Sequence, residues 1–152
     1  SINKIYSMKL ILGINNVSRN PIRDSFFRPI IKKTLEKSDF KFIKSKTISI
    51  SLAIVSKAEI KKLNKIYRKK NEPTDVLSFA EYKNIKEIKE EKGEEIFLGE
   101  LVLCYDDIKG YSSNNNLDLK AELSRVVSHG VLHLLGFKHG KKMFGVQDRS
   151  FK

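Results

Sequence analysis

The chain has 152 residues, 40% hydrophobic and 32% charged, enough for one domain with a buried core. Lys and Arg total 30 against 18 Asp and Glu, a formal net charge of +12 that points to a polyanionic partner, RNA or DNA first. No apolar run approaches the ~20 residues of a membrane span. No clear leader segment is visible, and the single cysteine, Cys104, excludes an intramolecular disulfide, as expected for a cytoplasmic protein.

Met8 to Ile14 reads as a first strand before an Asn15-Asn16 turn. Pro21 opens a helical stretch with Ile22, Phe26, Ile30 and Leu35 near helical spacing, and Pro29 implies a kink or a late start. Lys37 to Lys46 reads as a charged connection. Thr47 to Val55 alternates strictly at its start and predicts a strand. Ser56 and Glu59 have the form of a capping box opening a helix. Ile60, Leu63, Ile66 and Tyr67 form its expected core face, and Arg68-Lys69-Lys70 its basic end before Pro73.

Thr74 to Ala80 and Leu98 to Cys104 read as further strands, the latter bent at Gly99, with Cys104 a small buried hydrophobe. Glu81 to Glu95 alternates lysine and glutamate and is expected to be a solvated, mobile insertion without chemistry. Asn114-Asn115-Asn116 is a polar loop. Asp118 is a suitable N-cap for a helix whose apolar face is Leu119, Leu123, Val126, Val127 and Leu134. No internal repeat or second domain is apparent. The expected fold is a single α/β (α+β-like) domain over residues 1–152, a mixed sheet covered by helices, with a metal cleft beside the last helix.

All three histidines fall in the stretch from His129 to His139. His129 and His133, at i and i+4, lie about 40° apart around a helix axis, so both imidazoles can reach one ion. Gly136 is a natural helix stop at positive φ, after which the chain can return His139 as a third ligand. Three neutral imidazoles suit Zn²⁺ and leave a fourth tetrahedral position open, as a catalytic site requires. The spacing matches the metzincin pattern H-E-x-x-H-x-x-G-x-x-H, except that Gly130 stands where those proteases carry their glutamate base. Glu122, two turns before His129, either orients a ligand or faces solvent.

Two further blocks give the chain a family likeness. Leu63-Asn64-Lys65-Ile66-Tyr67-Arg68-Lys69-Lys70-Asn71-Glu72-Pro73-Thr74-Asp75-Val76-Leu77-Ser78-Phe79 and Leu98-Gly99-Glu100-Leu101-Val102-Leu103-Cys104, with the histidine block, resemble the YbeY family of metal-dependent endoribonucleases. The resemblance implies a zinc-dependent, single-strand-specific endoribonuclease in ribosomal RNA maturation and ribosome quality control. It also implies one Zn²⁺ per chain on His129, His133 and His139, and Arg68 as the functional arginine facing the cleft. RNA, chiefly ribosomal RNA, would be the partner, together with the ribosomal subunit or its proteins, and neither a membrane nor a disulfide partner is expected. Phe137-Lys138 replaces the family's Y-D before the third histidine, and Gln147-Asp148-Arg149 stands where relatives carry an acidic helix.

The expected chemistry is metal-assisted cleavage of an RNA phosphodiester, with Arg68 stabilising charge at five-coordinate phosphorus. Lys69, Lys70 and Lys138 are candidates to hold the RNA backbone. Two other readings are a metzincin-like metalloprotease, which lacks its glutamate, and a non-catalytic zinc-containing ribosome-associated RNA-binding module, which needs a fourth protein ligand.

Overall fold

The computed structural model describes residues 8–38 and 40–138. In chain order the elements are β1 (Lys9–Asn16), a 3-10 turn (Asp24–Phe26), α1 (Phe27–Lys37), α2 (Lys41–Lys44), β2 (Thr47–Ile54) and α3 (Lys57–Arg68). They continue with β3 (Val76–Ala80), α4 (Ile85–Glu90), β4 (Glu95–Leu103), α5 (Tyr105–Asn114) and α6 (Leu119–Leu134). Among the described residues the strands form one four-stranded sheet in the order β1-β2-β4-β3. β1 and β4 run parallel to β2, and β3 runs antiparallel to β4 at the sheet edge. This is the mixed, helix-covered sheet expected from the sequence.

The alternation in β2 does what its period predicts. Ile48, Ile50, Leu52 and Ile54 are buried on one face, while the residues between them are half-buried. The main core lies on that first face, where α1 contributes Phe27, Ile31 and Leu35 and α6 contributes Leu123, Val127 and Val131. On the opposite face α3 packs Ile60 against Leu77 and Val102. The helix carrying the histidines and the helix carrying Arg68 therefore lie on opposite faces of the sheet. The register slips once, between Ser49 and Ile50, leaving Leu98 as the extra residue of a β-bulge. The expected bend at Gly99 is this bulge: its φ is 136°, and a Cβ there would lie 2.2 Å from the Phe79 carbonyl oxygen.

Several expectations are corrected. Asn15 and Asn16 do not turn; they stay in β1 opposite Ala53 and Ile54. The helix after Pro21 starts late, at Phe27, with Pro29 inside its first turn, where a missing N–H has no helical partner to lose. The charged connection contains α2, anchored by buried Ile43. Ser56 does cap α3, accepting from Glu59 N at 3.2 Å, but Ile66 and Tyr67 are 60% and 63% exposed. Ile66 is six positions beyond Ile60, about 240° around the axis. The remaining core-facing position belongs to Asn64, whose Nδ2 donates to the Glu72 carbonyl at 2.9 Å.

The lysine- and glutamate-rich insertion is also ordered. Asn84 caps α4 by accepting from Glu87 N at 3.0 Å, and Ile88 is buried in the main core. Tyr82 donates its hydroxyl to Glu91 at 3.2 Å across the same segment. Helix α5 is not among the elements expected from the sequence, and Cys104, fully buried, stands at its N-terminal boundary without a side-chain capping bond, one residue beyond β4. Burial pushes the Cys104 thiol up, consistent with a packing role.

Candidate active site

Helix α6 begins as its sequence requires, with Asp118 accepting from Ala121 N at 2.9 Å. Its roll is set by Leu123, Val126, Val127 and Leu134, all buried. A buried hydrogen bond of 3.0 Å between Thr34 of α1 and Ser128 sits immediately before His129. With that roll, Arg125, His129 and His133 form a stripe at four-residue spacing along the edge of the apolar face.

The Nε2 atoms of His129 and His133 are 2.9 Å apart, with ring centroids at 4.5 Å and planes crossing at 73°. Two ring nitrogens that close need a proton or a cation between them, because two lone pairs repel. Tetrahedral zinc with Zn–N bonds of about 2.05 Å would hold two ligand nitrogens about 3.3 Å apart. The pair would need to open by a few tenths of an ångström to ligate one such ion, and neutral imidazoles suit it. The expected third ligand, His139, lies outside the described residues. Among the described residues no group of three ligating side chains occurs.

The helix stop before His139 is built as expected. Gly136 has φ 91°, its N–H donates to His133 O at 3.0 Å, and Phe137 N donates to Leu132 O at 3.0 Å, the paired bonds of a Schellman cap. A Cβ at Gly136 would meet the backbone of Asn84 and Ile85 at 3.2 Å, so the α4 segment buttresses this turn. Phe137 packs on Phe40, with ring centroids 5.6 Å apart. Lys138, which stands where the family has an acid, is exposed.

The histidines open into a cleft of about 330 Å³ lined by Arg68, Asp75, Val76, Ser78, Arg125 and Val126. Arg68 arrives from the other face because α3 ends beside edge strand β3, and the helix end reaches around that edge. Lys69 terminates α3 in the left-handed conformation, φ 59°, donating its N–H to Lys65 O at 3.1 Å. Lys69 and Lys70 are exposed in this turn and do not line the cleft. Arg68, His129 and His133 thus meet in one cleft, and Lys69 and Lys70 stand outside it.

Gly130 is close-packed on the sheet. A Cβ there would come within 2.9 Å of Leu101 Cδ2 and 3.4 Å of Ser78 Oγ, and Ser78 donates to the Gly130 carbonyl at 3.4 Å. A side chain at this position, where a metzincin carries its glutamate, would press at its Cβ on side chains of β3 and β4. Glu122 also departs from both of its expected roles. It is buried, and its carboxylate takes a hydrogen bond of 2.6 Å from Arg125 Nε and pairs with Arg125 Nη2, so it holds an arginine rather than a histidine.

A second cavity of about 270 Å³ adjoins the first, sharing Asp75, Arg125 and Val126 and adding Asp107, Tyr111 and Glu122. Burial, and after it the charge of Asp75, raises the Asp107 carboxyl above the usual range, against an opposing effect of Lys57. Asp75 and Ser78 were in the quoted family block but carried no assigned role. Arg125 was legible as the residue one turn before His129, and Ser78 as the partner of Val76 on one side of an alternating strand.

The sequence model of the Endoribonuclease YbeY family matches residues 13–151. This chain belongs to that family. The endoribonuclease YbeY of Pelagibacter ubique is 35% identical over 133 residues, covering 84% of this chain and 82% of that one. The Buchnera aphidicola endoribonuclease YbeY is 39% identical over 123 residues, 80% of this chain and 71% of its own. For the Zymomonas mobilis relative the match is 36% over 104 residues, 67% of this chain and 59% of that one. The solution structure of TM1509 from Thermotoga maritima superposes with a TM-score of 0.60 at 26% identity, covering 92% of this YbeY-family chain and 86% of TM1509.

Proposed function

We propose that this chain is a zinc-dependent endoribonuclease that cuts single-stranded segments of ribosomal RNA during their maturation and quality control. The observation that carries the reading is the meeting of Arg68 with His129 and His133 in one cleft, from helices on opposite faces of the sheet. Family membership supports RNA as the substrate class, and the net charge of +12 suits a polyanion. Ribosomal subunits or their proteins are the proposed partners and the cytoplasm the proposed location. Among the described residues no helix is long and apolar enough to cross a membrane.

His129, His133 and His139 would hold the ion. When bound, zinc supplies Lewis acidity to the phosphodiester oxygen and to the attacking water. Arg68 presents a planar guanidinium that pairs with non-bridging phosphate oxygens and gains strength as negative charge grows at phosphorus. Among the described residues Asp75 is the carboxylate lining this cleft. We assign it the proton that the attacking water releases on bonding to phosphorus, and the return of that proton to the ribose oxygen that leaves as its bond to phosphorus breaks. Gly130 carries no side chain at the position of the protease-type base and packs closely on Leu101.

The test is cleavage of a labelled structured RNA by the zinc-loaded chain beside His129→Ala prepared identically. Cleavage lost in the variant supports the reading; equal cleavage by both overturns it. Arg68→Ala is expected to bind zinc as the parent does and to lose cleavage by at least about 100-fold, the scale of removing one preorganised charge-stabilising donor. Undiminished turnover would remove Arg68 from the mechanism.

A further inference from the structure

We propose that Arg125 is a second substrate-positioning arginine, held by Glu122, that grips the phosphate next to the scissile one in a single strand of RNA. This rests on the endoribonuclease reading and deepens it. Arg125 stands one helical turn before His129 and lines both the histidine cleft and the adjoining cavity. A strand leaving the histidine cleft on this side meets it first. Successive phosphates are one nucleotide apart, so a strand with its scissile phosphate at Arg68 and the histidines carries its neighbour toward that boundary.

The ion pair is placed differently from an ordinary surface pair. The Glu122 side chain is 8% exposed and the Arg125 side chain 48%. A carboxylate on the buried side therefore fixes a guanidinium whose other side meets the cleft. Arg125 Nε and Nη2 both engage Glu122 Oε1, which sets the plane of the guanidinium before substrate arrives. An arginine so fixed loses little side-chain freedom on gripping a phosphate. The adjoining cavity adds the acids Asp107 and Glu122, which disfavour a phosphate placed deeper, so the boundary itself is where the phosphate stops. Arg68 on one wall and Arg125 on the other then define two consecutive phosphate positions.

The experiment compares the zinc-loaded full chain with Arg125→Ala and with the double variant Glu122→Gln/Arg125→Gln. Arg125→Ala alone strands a buried carboxylate and can unfold the helix. The double variant removes both charges, so the net charge stays at the parent value and the long-range field is preserved. Binding of a 2′-O-methyl single strand, checked on a gel to stay intact through the titration, is followed against salt, and KM and kcat are measured on an unmodified strand. The double variant is expected to flatten the log–log salt slope by about 0.7, the contribution of one single-strand phosphate. Its KM should rise about tenfold, in keeping with one charge-assisted contact, with kcat falling by less. A folded double variant with parental slope and KM overturns the inference while cleavage by the parent leaves the endoribonuclease reading standing. A parent chain that neither binds nor cleaves RNA overturns both.

Discussion

At the scale of single residues, Gly130 separates this site from that of a metalloprotease more sharply than any charge does. Its missing side chain lets α6 lie directly on Leu101. Restoring the protease residue as Gly130→Glu should cost at least about 2 kcal/mol, through overpacking and an unpaired buried carboxylate. Urea denaturation measures the cost, and a parental midpoint would show that the contact is slack. Such a variant should also gain no peptidase activity. Asp107 offers a test of electrostatics at the neighbouring cavity. Its carboxyl is raised in the folded chain, chiefly by burial, so the folded state holds the proton more tightly than the unfolded one. Stability from this group is therefore present in full below the unfolded pKa and is lost as pH rises through the folded one. Asp107→Asn removes the titration, so its Tm relative to the parent should climb between pH 3 and pH 7. A pH-independent difference would mean that the carboxyl is solvated in the folded chain.

At the scale of elements, the parts of the fold legible in the sequence were those with a local physical signature. The alternation of β2, the Ser56 and Asp118 caps and the Gly136 stop each depend on a few neighbouring residues, and each is found where the sequence placed it. The α4 segment was misread because one buried isoleucine among charges leaves no periodicity to count. Ile88 is 1% exposed, yet its partners lie in distant elements. The same limit applied to the site. The histidine spacing is intrinsic to one helix, whereas the Arg125–Glu122 pair requires knowing that Glu122 is buried. Ile88→Ala should cost about 2–4 kcal/mol as a core truncation, read from the urea midpoint. Because α4 also abuts the Gly136 turn, zinc affinity should fall with it. Loss of stability with parental zinc affinity would confine α4 to a packing role, and a parental midpoint would mean that the segment is as solvated as its composition suggests.

At the scale of the whole molecule, the positive charge and the reactive cleft are separate devices. The net charge is +12, but among the described residues no lysine lines the histidine cleft, where Arg68 and Arg125 are the cations. On the proposed reading the lysines would act as a diffuse field that draws in RNA and contacts its backbone, and the arginines would act at fixed positions within the cleft. The two contributions respond differently to salt. Backbone contacts release counterions, so affinity falls with a log–log slope of about −0.7 per phosphate for a single strand. Charges inside a partly desolvated cleft are screened much less. With five phosphates engaged, raising salt from about 50 to 200 mM should weaken binding roughly 100-fold, while single-turnover cleavage at saturating RNA changes little. Anisotropy titrations and rapid-quench assays on one RNA measure both quantities. A slope shallower than about one would show that the surface lysines do not engage the backbone and that the excess charge serves another purpose. A saturated rate falling in parallel with affinity would place screened, exposed cations in the chemical step, contrary to the assignment of that step to Arg68.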